Sequence, residues 1–222
     1  KPVITPVLID ASANAGAKPK SSGYSHIFRD SPFITFVLLS AVMSLVYAQM
    51  NTTFSVYMRD TYHIPEEHYG LMLASNALMV VLFQFPIARW VDRRDRSAML
   101  SLGAALYALG FGLIGFVSTG VMFEVAVIVL TLGEMILVPA SQTVAANLAP
   151  IDMRGRYQAV LGMMMSIGYG IGPVAGGLLF DAGRGHWIWY ASLIIGFAVA
   201  FGFRVTGSGL RAREVEIAVN EI

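Results

Sequence analysis

The stretch VMFEVAVIVLTLGEMILVPASQTVAAN, residues 121–147, decides the fold of this chain. A helix of about 20 predominantly apolar residues is long enough to cross the hydrocarbon core of a bilayer, and this stretch is longer than that. Glu134 stands at its midpoint, and Pro139 follows on the C-terminal side. The stretch therefore predicts a membrane-spanning helix that carries a carboxyl group at the centre of the bilayer.

Five further apolar runs surround this one, each bounded by charged residues, Pro or Gly. They cover residues 33–58, 69–90, 98–117, 157–180 and 187–205. All six are expected to be helices, because unpaired backbone groups are too costly in lipid. The composition agrees, since 56% of the 222 residues are hydrophobic and only 13% are charged, against about 25% charged in soluble domains. We expect an all-α membrane protein with six transmembrane helices.

The two polar ends of the chain complete the predicted domain organisation. Residues 1–32 are expected to form a cytoplasmic linker, because they are rich in Ala, Ser, Gly, Lys and Pro. A short surface helix is expected within residues 25–30. Residues 33–205 form the six-span half-domain, and residues 206–222 a cytoplasmic C-terminal tail. A polar linker ahead of six spans suggests that another half of the protein lies upstream.

The distribution of basic residues predicts the orientation. Of the 15 Lys and Arg residues, all except Arg59 and Arg184 fall on the side that holds both chain ends and two interhelical loops. Cytoplasmic loops of membrane proteins carry the excess of Lys and Arg. Both ends of this segment are therefore expected to be cytoplasmic.

Polar groups within the spans indicate a functional pathway. An ionisable side chain at the bilayer midplane is costly and marks an ion or substrate route by default. Apolar surroundings favour the neutral form of a carboxyl group, so Glu134 is expected to bind and release a proton; a structural carboxylate paired with a hydroxyl or a cation is the alternative. Uncharged polar residues in the spans are expected either to line a cavity or to join helices: Tyr47, Gln49, Asn51, Asn76, Gln84 and Gln142.

Other classes of function lack a sequence signature. Cysteine is absent and the net charge is only +1, which argues against thiol chemistry and against nucleic acid as a partner. His63 and His68, with Glu66 and Glu67, form an outer-loop group whose spacing matches no standard zinc site. We expect neither an enzyme nor a bound metal or cofactor.

The loop after the second span, ARWVDRRDR at residues 88–96, resembles the signature G-x-x-x-D-R-x-G-R-R of the major facilitator superfamily. Asp92, Arg93 and Arg96 match that signature. Ala88, Asp95 and Ser97 replace its two glycines and its last basic residue. In that family the loop forms a charge relay that stabilises one gating state, whereas positive-inside charge alone is the plain alternative.

The fifth span contains GYGIGPVAGG, residues 168–177, which is similar to the antiporter signature G-x-x-x-G-P-x-x-G-G. Every specified position matches: Gly168, Gly172, Pro173, Gly176 and Gly177. Glycines at four-residue spacing let helix backbones approach closely.

The fourth span resembles the tenth span of bacterial multidrug–proton antiporters, on the basis of Gly133-Glu134, Pro139 and the following Arg154-Gly155-Arg156. This resemblance implies the C-terminal half of a twelve-helix transporter, built from two inverted three-helix repeats. It also implies an N-terminal six-helix half of the same transporter as partner, and a bacterial cytoplasmic (inner) membrane with its lipids as the location.

The resemblance implies secondary active transport by alternating access, with a proton as the coupling ion. The substrate expected is an amphipathic or cationic organic compound that is exported. Two alternatives stay open in the same fold: proton-coupled uptake of peptides or another solute, and lipid flipping.

Overall fold

The computed structural model describes residues 24–220, and this part of the chain folds into helices and short connections. The helices are α1 (Tyr24–Arg29), α2 (Ser31–Thr52), α3 (Phe54–Tyr62), α4 (Glu66–Val91), α5 (Arg96–Ile114), α6 (Gly120–Asn147), α7 (Arg154–Asp181), α8 (Gly185–Val205) and α9 (Gly207–Asn220). Within the described residues, α2 and α4 to α8 are long and apolar enough to cross a membrane. The predicted fold class, an all-α membrane protein with six spans, is confirmed.

The ends of the predicted domains fall as follows. Residues 1–23 of the predicted linker lie outside the described part of the chain, and α1 occupies the place of the expected short surface helix. The predicted first span, residues 33–58, is divided at Thr53 into α2 and α3. The C-terminal segment after residue 206 forms helix α9.

Two acidic residues begin helices at the same end of the molecule. Asp30 accepts a hydrogen bond from the backbone N–H of Phe33 (3.3 Å) at the start of α2. Asp95 accepts one from the N–H of Ala98 (2.8 Å) at the start of α5. Both satisfy backbone donors that a helix N-terminus leaves without a partner inside the helix.

The helices pack in two close pairs, α5 with α6 and α2 with α7, while α8 lies mainly against α5 and α4 lies mainly on α6. Small residues allow the close approach. A Cβ atom at Gly133 of α6 would stand 2.6 Å from the backbone nitrogen of Tyr107 in α5, and one at Gly172 of α7 would stand 2.6 Å from Cβ of Ala48 in α2. Real Cβ atoms do not approach so closely, so both positions require glycine for this packing.

Helix α9 is fastened to the ends of the spanning helices by ion pairs. Arg213 donates to Asp30 (3.0 Å), and Tyr157 of α7 donates to the same carboxylate oxygen (2.9 Å). Burial disfavours the charged form of Arg213, but hydrogen bonds to Glu216 and Asp30 and the nearby negative charge of Asp30 outweigh it and raise its pKa. Asp30 is almost fully buried, so this pair joins α2, α7 and α9 at one point.

The opposite end is held by aromatic contacts instead. The hydroxyl of Tyr57 in α3 and Nδ1 of His186 in α8 are 2.5 Å apart. Tyr190 of α8 donates to the carbonyl of Gly115 (3.0 Å) after α5. Here Arg59 donates to Asp60 (2.7 Å) and lowers the pKa of that carboxyl group. The two ends thus differ, because a buried ion pair at Asp30 joins the helices at one end and ring contacts join them at the other, where the ion pairs of Arg59 are exposed.

Candidate functional site

Glu134 lies in the middle of α6 and faces α2 and α4. Its Oε1 accepts a hydrogen bond from the hydroxyl of Tyr47 in α2 (3.4 Å), and its Oε2 accepts one from Nδ2 of Asn76 in α4 (3.1 Å). No ion pair to Glu134 occurs among the described residues. Hydrogen bonds from neutral donors support the carboxylate without neutralising it, so the group is left able to take a proton or attract a cation.

Asn76 is the residue that organises the carboxylate. Its amide nitrogen donates both to Glu134 and to the hydroxyl oxygen of Thr131 (2.8 Å), one turn earlier on α6. Thr131 in turn donates to the backbone carbonyl of Val127 (2.8 Å). Because each hydroxyl and amide hydrogen has an acceptor, the orientation of Asn76 toward Glu134 is fixed by the network.

Gln84 bonds to a backbone carbonyl that Pro139 leaves without its partner within the helix. Proline has no N–H, so the carbonyl four residues earlier, that of Met135, loses its usual helical partner. Nε2 of Gln84 in α4 donates to that carbonyl (3.3 Å). Gln84 was expected to line a cavity or join helices, and the structure places it in a bond between α4 and α6.

A cavity of about 120 Å³ opens beside Glu134, between α2, α5, α6, α7 and α8. It lies on the side of Glu134 that faces α1 and α9, the end where the predicted cytoplasmic loops gather. Its surface is largely apolar and carries five hydroxyl groups, one amide and one carboxyl group, from the lining residues Ser40, Met43, Ser44, Tyr47, Tyr107, Glu134, Leu137, Val138, Ser141, Gln142, Met165 and Phe203. Such a lining presents apolar surface beside one carboxyl group, in a space smaller than the roughly 300–1,000 Å³ of pockets that enclose a drug-sized ligand.

The structure brings some predicted cavity residues together and separates others. Tyr47, Gln142 and Glu134 line the cavity, whereas Asn51, one turn after Tyr47, is exposed and lies outside its lining. Gln49 does not line it: Nε2 of Gln49 donates to the carbonyl of Gly172 (2.7 Å) within the α2–α7 contact, where the side chain is buried. Gln49 therefore joins two helices.

The antiporter-like glycines make that same contact. Cβ atoms at Gly168, Gly172 and Gly176 would collide with atoms of α2, whereas one at Gly177 would meet nothing within 4 Å. The motif in this chain thus supplies the surface on which α2 lies, and Gly177 faces away from it.

Some residues of the loop motif are exposed, and others are paired with α9. Asp92 and Arg93 are exposed. Arg96 pairs with Glu214 of α9 (2.6 Å), and Asp95 pairs with Arg211 of α9 (2.8 Å). With its amide oxygen turned toward the guanidinium, Asn147 at the end of α6 also accepts from Arg96 (3.0 Å). The loop therefore holds α9 to the start of α5 and to the end of α6. Its role in gating stays a prediction.

One acidic residue of the spans was not anticipated from the sequence. Glu124, in the second turn of α6, accepts a hydrogen bond from the hydroxyl of Ser75 in α4 (2.5 Å). The signal that singled out Glu134, an acid within an apolar run, applies equally to Glu124. Glu124 lies near the end of the run and its partner is in another helix, so residue order alone does not show that it is bonded within the bundle.

Comparison with known proteins bears on this fold and site. Residues 33–216 match the family model described as the Major Facilitator Superfamily. The chain belongs to the major facilitator superfamily. The membership expected from the motifs at residues 88–97 and 168–177 is thereby confirmed, as is the description of the chain as part of a transporter of that superfamily.

Relatives within the superfamily include three bacterial transporters. This major facilitator chain is 30% identical over 173 residues to the uncharacterized MFS-type transporter YhjO of Bacillus subtilis, covering 78% of this chain and 43% of the relative. It is 27% identical over 194 residues to a Na(+), Li(+), K(+)/H(+) antiporter of Planococcus maritimus (81% and 45%). It is 29% identical over 167 residues to the multidrug resistance protein MdtH of Escherichia coli (75% and 41%).

A solved structure shows the same fold. The crystal structure of a bacterial homologue of the human lysosomal transporter Spinster, inward-facing and unoccupied, superposes with a TM-score of 0.64 at 19% identity. The superposition covers 86% of this chain and 44% of that protein. The chain spans about half the length of the curated relatives it matches, as expected for one half of a major facilitator fold.

Proposed function

We propose that this chain is the C-terminal half of a proton-coupled exporter of amphipathic or cationic organic compounds. The observation that carries the proposal is the position of Glu134, a carboxyl group at the middle of α6 that opens onto a largely apolar cavity. Substrate and proton would compete for this carboxyl group: an organic cation binds the ionised form and a proton displaces it.

The remainder of the transporter supplies what one half lacks. Substrate sites of such carriers lie near the bilayer midplane between two repeats or halves, and rocking of one against the other alternates access. The N-terminal six-helix half would close the cavity beside Glu134 from the opposite side. Both ends of this segment would be cytoplasmic, in a bacterial inner membrane, because the basic residues gather at the end formed by α1 and α9.

A second substrate class has support of its own. One relative is named as a Na(+), Li(+), K(+)/H(+) antiporter, and Glu134 lies beside the hydroxyl groups of Tyr47 and, through Asn76, Thr131. Carboxylate and hydroxyl oxygens suit a small hard cation. Sodium-ion exchange through the same carboxyl group is therefore the competing proposal.

The test uses the complete transporter, this chain together with its companion half, reconstituted in proteoliposomes with an acidic interior. Wild type should accumulate a fluorescent organic cation against its gradient, and Glu134→Gln should not. Glu67→Gln, the same substitution at an exposed position beyond the membrane, serves as the matched control and should behave as wild type.

Three results would contradict the proposal in different ways. Equal accumulation by wild type and Glu134→Gln would assign Glu134 a structural role. Gradient-driven movement of sodium ions without movement of the dye would favour the competing cation exchanger. Movement of neither would exclude both, and peptides or lipids would become the substrates to assay.

A further inference from the structure

The cavity reaches Glu134 from one end of the molecule. On the other side of Glu134, a group of polar side chains lies between two helices. Between α4 and α6, in the direction of Gly120, lie Thr131, Asn76, Ser75 and Glu124. The cavity lies on the side of Glu134 toward α9, so the two features approach the same carboxyl group from opposite ends.

The depth of Glu124 follows from helix geometry. Helix α6 has 28 residues with Glu134 at its middle, and ten residues separate Glu124 from Glu134, which is about 15 Å along the axis. The hydrocarbon core is about 30 Å thick, so with Glu134 at the midplane, Glu124 lies at the edge of the core. A carboxyl group there can exchange protons with interfacial water.

The groups between the two acids share one side of α6. Thr131 follows Glu124 by seven residues, about two turns or 10 Å, so both point toward nearly the same direction. Their partners on α4 are the adjacent residues Ser75 and Asn76, which bond to Glu124 and to Thr131 respectively. A polar strip therefore runs along the α4–α6 contact from the outer edge to the midplane.

We infer that Glu124 is the outer proton acceptor of this transporter and supplies Glu134 along the α4–α6 strip. This inference rests on the proposed proton coupling. A proton from water at the end away from α9 protonates Glu124; the O–H bond at Glu124 then breaks as an O–H bond forms at Glu134, through water admitted between Ser75 and Thr131. The negative charge passes from Glu134 to Glu124, where the next external proton neutralises it.

Other titratable groups at this end have separate partners or positions. Arg59 of α3 is paired with Asp60 and with Glu66 of α4. His68 of α4 lies beside Gly120, a full turn outward from Glu124, and Tyr62 of α3 packs on the ring of Phe123. His68→Gln is therefore a suitable control, since it removes a titratable group from the same end without touching the strip.

The experiment compares two activities of the reconstituted complete transporter. Gradient-driven accumulation of a fluorescent organic cation requires proton delivery, whereas exchange of labelled for unlabelled dye without a pH gradient does not. Glu124→Gln should slow the gradient-driven rate by about 100-fold, the lower end of the range expected for losing a proton-transfer group, and leave exchange unchanged. His68→Gln should change neither activity.

A second measurement keeps the inference separate from the identity of the substrate. A protonated carboxyl group gives an infrared C=O stretching band, and the band that is absent from Glu134→Gln belongs to Glu134. The growth of this band after a pH jump therefore reports protonation of Glu134 directly. It should appear more slowly in Glu124→Gln than in wild type. The inference is overturned if this rate is unchanged, or if dye exchange falls together with gradient-driven transport, which would make Glu124 and Ser75 a structural contact. If wild type does not move the dye but the C=O band still appears more slowly in Glu124→Gln than in wild type, only the proposed substrate is refuted.

Discussion

At the scale of single residues, the carboxyl group of Glu134 is governed by its two hydrogen-bond donors. Asn76 donates at 3.1 Å and is itself fixed by Thr131, whereas Tyr47 donates at 3.4 Å. Hydrogen-bond strength falls with distance, and a bond to a charged acceptor is stronger than one between neutral groups. Asn76 is therefore the main partner of Glu134, and Tyr47 the weaker one.

This difference predicts unequal effects of removing the two donors. Asn76→Leu should reduce gradient-driven transport by about tenfold, because hydrogen bonds to charged groups contribute roughly 1.5–3 kcal/mol. Tyr47→Phe keeps the ring in the cavity wall and should reduce transport less. Initial rates of dye accumulation at matched protein levels measure both, and a larger loss in Tyr47→Phe would contradict this ranking.

At the scale of helices, Pro139 and Gln84 act as a pair across the α4–α6 contact. The proline frees the carbonyl of Met135 within α6, and the glutamine side chain from α4 donates to it. Helix α4 lies mainly on α6, so this bond fixes the position of α4 next to the carboxyl groups of α6. The hydrogen bond that is missing within α6 is thus replaced by one between α4 and α6.

The pairing predicts a non-additive result. Gln84→Leu should lower the free energy of unfolding by about 1 kcal/mol, the scale of interhelical hydrogen bonds in membranes. In a Pro139→Ala background the helix satisfies the Met135 carbonyl itself, so Gln84→Leu should then cost less. Thermal unfolding of the four variants in one detergent gives the coupling energy, and strictly additive costs would show that the two residues act independently.

At the scale of the whole molecule, the two ends of the bundle are built differently. One end gathers α1, α9 and the loops after α4 and α6, held by ion pairs from Asp30, Asp95 and Arg96 to α9. The other end gathers α3 and the starts of α4, α6 and α8, held by rings and hydroxyl groups. All described Arg residues except Arg59 and Arg184 lie at the first end, which the proposed function places in the cytoplasm.

The absence of cysteine from the sequence makes this orientation simple to test. Single substitutions Ser208→Cys in α9 and Thr61→Cys in α3 place one thiol at each end, and both positions are exposed. In intact cells, a membrane-impermeant thiol reagent should label Thr61→Cys only, and Ser208→Cys should react after the cells are opened. The reverse pattern would invert the assigned orientation.

The sequence by itself determined the spans, the one-sided charge and the acid at the midpoint of α6. Hydropathy and length act locally along the chain, because every spanning segment must satisfy its own backbone in lipid whatever its neighbours are. For this reason six spans and the position of Glu134 in the middle of one of them follow from residue order alone. The superfamily motifs at residues 88–97 and 168–177 were also legible without coordinates.

Only the tertiary structure decided which polar groups meet. Gln49, Gln84 and Gln142 are all glutamines within apolar spans, and the sequence does not distinguish them. In the structure the first two bond to backbone carbonyls of other helices, and the third lines the cavity. The partners of Asp95 and Arg96 come from α9, more than a hundred residues later. Hydrogen-bond partners depend on which helix faces meet, and helix packing in lipid is set by close contact of small residues rather than by overall hydrophobicity, so no property of one segment fixes them.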